Sequence, residues 1–418
     1  MQIHHINPLN LIKSLSMALE LLSTNLSFHH WRVAIISMAI AEEMPLSYTE
    51  CSTLLQAALL HDIGAATSWS ARIKLRSNGW YHEKKIKGKY ALHAYNGYKF
   101  LQPSHIFDDI GKIILYHHTD WQDSTTAKKT IPIQSRILRL ADYLEVCIKP
   151  DKHILLQAED ITEDIIKKSG TTFSPEIVKY FTKISHRESF WLNIVDNSYA
   201  ELFFSRNNFY GMTMPYTEED VIDVAKIFAN IIDEASGFTY RHSRSVSKVS
   251  VFLAQKKGFS EKELQDMMIA GLLHDIGKLS IPNSILEKPG ALNKEEFALI
   301  RQHTYYTYRI LQQIDGFQQI AEWAAYHHEY LDGSGYPFHL KGADLSLGSR
   351  IVAVADVFTA LREDRPYRQG LPKEKILSIV LNMADNNKLD KKIVHLLAEN
   401  YSTISLLVKG SGKGIDPR

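Results

Sequence analysis

Five histidine and aspartate landmarks occur twice in this 418-residue chain, in the same order. His29, His61-Asp62, His93, His117-His118 and Asp142 return as His242, His274-Asp275, His303, His327-His328 and Asp356. The offsets between the copies are 213, 213, 210, 210 and 214 residues. A period this regular requires two copies of one structural unit, and the length holds two domains of ordinary size. The turn-formers Ser205, Asn207, Asn208, Gly211 and Pro215 mark the boundary. The expected domains are therefore 1–205 and 206–418.

Local patterning is helical in both halves. Thr217 with Asp220 three residues on reads as a capping box. Behind it Val221, Val224, Ile227, Phe228, Ile231 and Ile232 are spaced for one buried helix face. Leu9 to Leu22 has the same character and stands at the same distance before its first histidine. Further helices are predicted over 56–61, 133–146, 268–274, 321–328 and 351–361, and before His117. Ser198 to Phe204 alternates and reads as a short strand or part of the linker. The fold class expected is all-α, two tandem helical bundles whose facing helices can project ligands inward.

Composition narrows the partners. A net charge of +1 provides no long-range field, so neither a nucleic-acid polymer nor a membrane surface is expected as partner. Two cysteines cannot build a disulfide framework, and no secretory signal pattern opens the chain, so a cytoplasmic location is expected.

The recurring residue types are those that hold transition metals. Histidine offers a neutral nitrogen, and aspartate an oxygen that can bridge two ions. Asp356 lies inside Val352-Ala-Val-Ala-Asp-Val, where an unpaired carboxylate is costly, so it calls for a cation.

His242, Leu273-His274-Asp275-Ile276-Gly277-Lys278 and Asp356 together resemble the HD superfamily of metal phosphohydrolases. His327-His328-Glu329 followed by Asp332-Gly333-Ser334-Gly335-Tyr336-Pro337 is similar to the HD-GYP subfamily of bacterial cyclic dinucleotide phosphodiesterases. The tandem arrangement resembles those specific for 3′,3′-cyclic GMP-AMP. The resemblance implies that His242, His274, Asp275 and Asp356 hold one metal. Asp275 then bridges to a second held by His303, His327 and His328. Two divalent ions, iron or manganese, are implied; they activate water for in-line attack on phosphorus, with the ribose 3′ oxygen leaving. Asp275 and Lys278 are the implied catalytic groups. Lys278, Tyr336, Arg365 and Arg368 are the implied substrate contacts, and Glu329 and Asp332 are candidates to orient histidine N–H groups. A linear 5′-phosphorylated dinucleotide would be the product, and a homodimer is in keeping with the family. Cyclic di-GMP is the alternative substrate, and a non-catalytic dinucleotide receptor the alternative role.

Some positions depart from the family pattern. Phe238 stands where some members carry a glutamate for a third metal. Thr307 replaces a frequent glycine that the first copy keeps as Gly97. Ser245 replaces an arginine that the first copy keeps as Arg32.

The copies differ in what surrounds the landmarks. The first has Ala65 at the position of Lys278. It has Thr119-Asp120-Trp121 in place of the glycine loop, and no arginine pair after Asp142. His29, His61, Asp62, His93, His117, His118 and Asp142 are thus a possible vestigial metal site. The first domain is expected to be non-catalytic, and hydrolysis is assigned to the second.

Overall fold

The computed structural model describes residues 6–20, 28–65, 87–126, 130–207, 216–236, 241–364 and 369–409. Asn7–Tyr216 forms one compact unit, and Thr217–Arg418 makes up the body of the other. Both are all-helical, with no strand among the described residues. The segment read as a strand or linker is instead the helix Asn197–Arg206. Asp196 accepts from Ser198 N at its start, and Ala200, Phe203 and Phe204 bury one face at helical spacing. Seven residues of apparent alternation could not distinguish that face from a strand.

The repeat extends to the helix starts. Ser47 and Glu50 form a capping box that opens Tyr48–Leu60. Ser260 and Glu263 do the same for Glu261–Leu273. Each box is worth about 1 kcal/mol and fixes where its helix begins. Each helix then runs 13 residues. His61 and His274 therefore fall at the corresponding helix end, where both rings are fully buried. The predicted capping box at Thr217 and Asp220 opens Glu218–Ala235, with Val221, Val224, Ile227, Phe228, Ile231 and Ile232 all buried.

In the second unit the helices that carry the landmarks are His242–Lys256, Glu261–Leu273, Lys294–Leu311, Gln318–Ala325 and Leu347–Arg362. Gly271 brings two of them close together. A Cβ there would stand 2.5 Å from the Ser247 Cα, so the crossing excludes any larger residue. In the first unit the matching helices are His29–Ala41, Tyr48–Leu60, Lys87–Leu101, Asp108–Tyr116 and Ile133–Cys147.

Candidate metal centre

Three landmark histidines of the second unit are each aimed by their own backbone. In the second unit Nδ1 of His274 donates to Gly271 O at 2.9 Å, His303 to Ile300 O at 2.7 Å, and His327 to Ala324 O at 2.6 Å. A carbonyl can only accept, so Nδ1 carries the proton and Nε2 presents a lone pair. All three bonds reach back three residues, which turns Nε2 toward the centre. His242 has no such carbonyl at its helix start. Its Nδ1 donates to Glu363 Oε2 at 3.0 Å.

These nitrogens surround Asp275. Its Oδ2 lies 3.2 Å from His274 Nε2 and 3.8 Å from His242 Nε2. Its Oδ1 lies 3.4 Å from His303 Nε2 and 3.8 Å from His327 Nε2. One carboxylate thus faces two groups of imidazoles, one with each oxygen. Asp356 Oδ1 approaches His242 Nε2 at 3.2 Å and His274 Nε2 at 3.9 Å. His303, His327 and His328 supply a further set whose ligand atoms all lie within 4.8 Å.

The donor set fits divalent ions. His303 Nε2 and His327 Nε2 stand 3.3 Å apart, and both are lone-pair acceptors because Nδ1 is committed on each ring. Two acceptors cannot hydrogen-bond one another, and a cation between them satisfies both. The protonation states agree. Burial pushes His303 down to about 3 and His327 well below its ordinary value. Burial acts against the charge of Asp275, but the neighbouring His274 and Lys278 outweigh it and hold the carboxyl well below its usual range. Burial likewise opposes a charged His242, yet hydrogen bonds to Asp356 and Glu363 push it up to about 10. Neutral His303 and His327 beside an ionised Asp275 are what a metal requires, and an ion would take the place of the proton that Asp356 and Glu363 hold on His242.

Lys278 sits one turn beyond Asp275 on the short 3-10 turn Ile276–Ser280, with Nζ 2.5 Å from Asp275 Oδ2. The glycine loop folds beside the His327-His328 pair. A Cβ on Gly335 would fall 2.5 Å from both Glu329 Cα and His328 O, so only glycine fits. Gly333 has φ near +80°. Tyr336 tilts over His328 with ring centroids 5.0 Å apart, and Phe297 meets its edge at 6.2 Å. The Tyr336-Pro337 peptide is cis.

Glu329 and Asp332 do not orient histidines. Glu329 is buried and accepts from Phe338 N at 2.7 Å and Leu340 N at 3.0 Å, which ties down the return of the loop. Asp332 accepts from Ser334 N and Oγ, a local turn in the exposed part of the loop. Sequence proximity to the histidine pair suggested the wrong role, because the loop's own unpaired N–H groups lie nearer. Arg365, Arg368 and Phe238 lie outside the described residues.

The first unit brings the seven residues of its landmarks together as well. Asp62 Oδ2 faces His29 Nε2 at 3.6 Å and His61 Nε2 at 3.5 Å, and its Oδ1 faces His93 Nε2 at 3.3 Å. Asp142 Oδ1 lies 3.7 Å from His29 Nε2. His93, His117 and His118 form a triad like that of the second unit. Ala65 occupies the position of Lys278, so no ammonium stands there beside Asp62 among the described residues. Where the glycine loop would be, the helix Trp121–Thr126 follows His118, and Asp120 pairs with Arg139 at 3.0 Å.

The carboxylates that orient the first histidines escaped the sequence reading. Glu145 accepts from His29 Nδ1 at 2.6 Å and also meets Arg32 at 3.5 Å. It lies three residues after Asp142, on the same helix face. Glu363 lies seven residues after Asp356, just past the end of its helix. A spacing of three could have been found as a helical turn. A spacing of seven across a helix terminus carries no such signal.

Two family models describing an HD domain match residues 27–147 and 226–393. The chain is 30% identical over 386 residues to the 3′3′-cGAMP-specific phosphodiesterase 1 of Vibrio cholerae, covering 89% of this chain and 86% of that one. It is 40% identical over 160 residues to a cyclic di-GMP phosphodiesterase of Thermotoga maritima, covering 38% of this chain and 44% of that one. The crystal structure of a V. cholerae cyclic GMP-AMP specific phosphodiesterase superposes with a TM-score of 0.64 over 95% of this chain and 98% of that one. At 24% identity, that likeness establishes the shared fold. No helix among the described residues is long and apolar enough to cross a membrane. The doubled centre, the loop and lysine that distinguish its second copy, and a relative matched along nearly its whole length agree: the chain belongs to the HD-GYP family of cyclic dinucleotide phosphodiesterases.

Proposed function

We propose that the second unit, whose body is Thr217–Arg418, hydrolyses a 3′,3′-linked cyclic dinucleotide to its linear 5′-phosphorylated form, with cyclic GMP-AMP preferred. The observation that carries this reading is the asymmetry between two similar His/Asp centres. Only the second adds Lys278 and the loop Gly333–Pro337. Water adds across one P–O3′ bond. Phosphorus gains the water oxygen, the 3′ oxygen leaves as a hydroxyl, and the phosphate stays on the 5′ side. Two divalent ions held by His242, His274, Asp275, His303, His327, His328 and Asp356 supply water activation and charge neutralisation when bound. Iron or manganese suits this nitrogen-rich, thiolate-free set.

The chain's own groups have distinct parts. The backbone carbonyls behind His274, His303 and His327 keep their Nε2 lone pairs inward before any ion arrives. Glu363 does this for His242. Lys278 donates to a phosphoryl oxygen as negative charge grows there, in a buried setting where one such donor is worth about 3 kcal/mol of barrier. Tyr336 covers His328 and walls that side of the centre. Arg365 and Arg368 grip the phosphate backbone through planar, two-toothed hydrogen bonds. The first unit carries no hydrolysis, because the groups that recognise phosphate are absent from it.

The preference for cyclic GMP-AMP rests on the full-length match to a relative of that name with the same tandem architecture. The partial match to a cyclic di-GMP phosphodiesterase favours the alternative. A side-by-side turnover assay with both dinucleotides decides between them. Faster hydrolysis of cyclic GMP-AMP is expected; faster hydrolysis of cyclic di-GMP would reverse the assignment.

A further inference from the structure

We infer that the first unit is a loaded transition-metal centre in which His30, absent from the repeat, is an added ligand. The seven repeated residues do not exhaust the nitrogen donors there. His30 is buried and lies beside His29, with its Nε2 4.0 Å from Asp62 Oδ2. Its ring is 5.2 Å from that of His61 and 5.5 Å from that of His29. The matching residue of the second unit is Ser243, whose hydroxyl donates to Asp233 at 2.6 Å and offers no ligand.

The distances suit a single ion. Two ligands bound at about 2.1 Å can be no more than about 4.2 Å apart, when they lie on opposite sides of the metal. His29 Nε2 and His61 Nε2 are 3.2 Å apart. Asp142 Oδ1 is 3.7 Å from the first and 3.8 Å from the second. His30 Nε2, at 4.0 Å from Asp62 Oδ2, lies within that limit of the carboxylate. His29 Nδ1 donates to Glu145 and His61 Nδ1 to Ala58 O, which turns the two Nε2 atoms toward one another.

The support around His30 is also built. Glu20, which matches Asp233 of the second unit, accepts from Phe28 N and His30 N and lies 3.6 Å from His30 Nδ1. It fixes the start of the His29–Ala41 helix, so the His30 ring turns inward.

The chemical consequence is a change of role. Hydrolytic centres keep a coordination position for water, and closed centres fill it with protein. His30 fills that position. The first unit therefore holds a first-row divalent ion without hydrolysing anything, independently of what the second unit acts on.

The test uses the full chain with Asp275→Ala and His303→Ala disabling the second centre, loaded with Mn(II). Metal analysis should show about one of the three ions of the unaltered chain. Loss of all bound Mn(II) would overturn the first-unit site. Adding His30→Ser, the residue of the other copy, should weaken Mn(II) binding at least about tenfold. It should also raise water-proton relaxation as solvent reaches the vacated position. Unchanged affinity and relaxation would remove His30 as a ligand. If His30→Ser unfolds, His30→Gln is the replacement that keeps side-chain volume, with the same two readouts.

Discussion

The Thr307 hydroxyl joins Gly277 to the helix that carries His303. It accepts from Gly277 N at 3.1 Å and donates to His274 O at 3.0 Å. The approach is close because Gly277 has no side chain: a Cβ there would lie 1.9 Å from His303 O. In the first unit Gly64 and Gly97 make the same approach with no side chain on either partner. Thr307→Val keeps the shape but leaves two buried backbone groups without their partner. It should cost about 1–3 kcal/mol, read as a lower urea midpoint with an unchanged slope. An unchanged midpoint would show that the hydroxyl does not brace the turn.

Lys278→Ala should separate catalysis from metal binding. With an intact ligand set, ion content per chain should stay the same. The turnover number should fall by about 10²–10³, the usual effect of removing one donor to a charge that develops in the transition state. Parallel loss of metal would make Lys278 a structural partner of Asp275 instead.

His274→Ala or Asp275→Ala should abolish hydrolysis and release the second unit's ions, since each side chain serves the shared centre. Chelation of the unaltered protein should do the same reversibly. Readdition of Mn(II) or Fe(II) should restore turnover. Hydrolysis that survives exhaustive chelation would refute a metal-dependent reaction.

Glu363→Gln should lower metal affinity by about 10–100-fold without touching an ion. A glutamine can present its amide N–H to His242 and favour the wrong tautomer. Glu363→Asp should recover less than half of the loss, because the shorter arm cannot span the 3.0 Å contact. Equal affinity in all three proteins would show that His242 is aimed by something else.

Tyr336 can be examined by a pair of substitutions. Its ring covers His328, and burial raises its hydroxyl above the ordinary tyrosine value. Tyr336→Phe keeps the ring and should leave metal content and KM near those of the parent. Tyr336→Ala removes the wall and should raise KM several-fold. A large KM effect from Tyr336→Phe alone would assign the hydroxyl to the substrate.

Much of this architecture was legible in the sequence, and the reasons can be traced. The seven landmark residues of each copy come together because a strict repeat transmits register, and the capping boxes at Ser47 and Ser260 preserve the distance to His61 and His274. What stayed hidden depended on side-chain reach. Glu363 acts across a helix end, and Thr307 acts through backbone that Gly277 exposes. His30 was masked by standing next to a landmark. Glu329 showed the opposite error, a carboxylate adjacent to two histidines that serves the loop's N–H groups.

Glu363 occupies a junction. On one side it grips His242; on the other the chain continues through Asp364, whose carboxylate accepts from Gly370 N at 2.8 Å. The stretch between those two anchors contains Arg365 and Arg368. One short segment therefore connects the hold on an ion to the residues expected to meet phosphate. Thermodynamic reciprocity makes such a connection run both ways. Dinucleotide that engages Arg365 and Arg368 should slow the escape of the ion, and a bound ion should tighten the hold on dinucleotide. The enzyme would then retain its metal best while at work, and an idle enzyme would be the one exposed to competition for it.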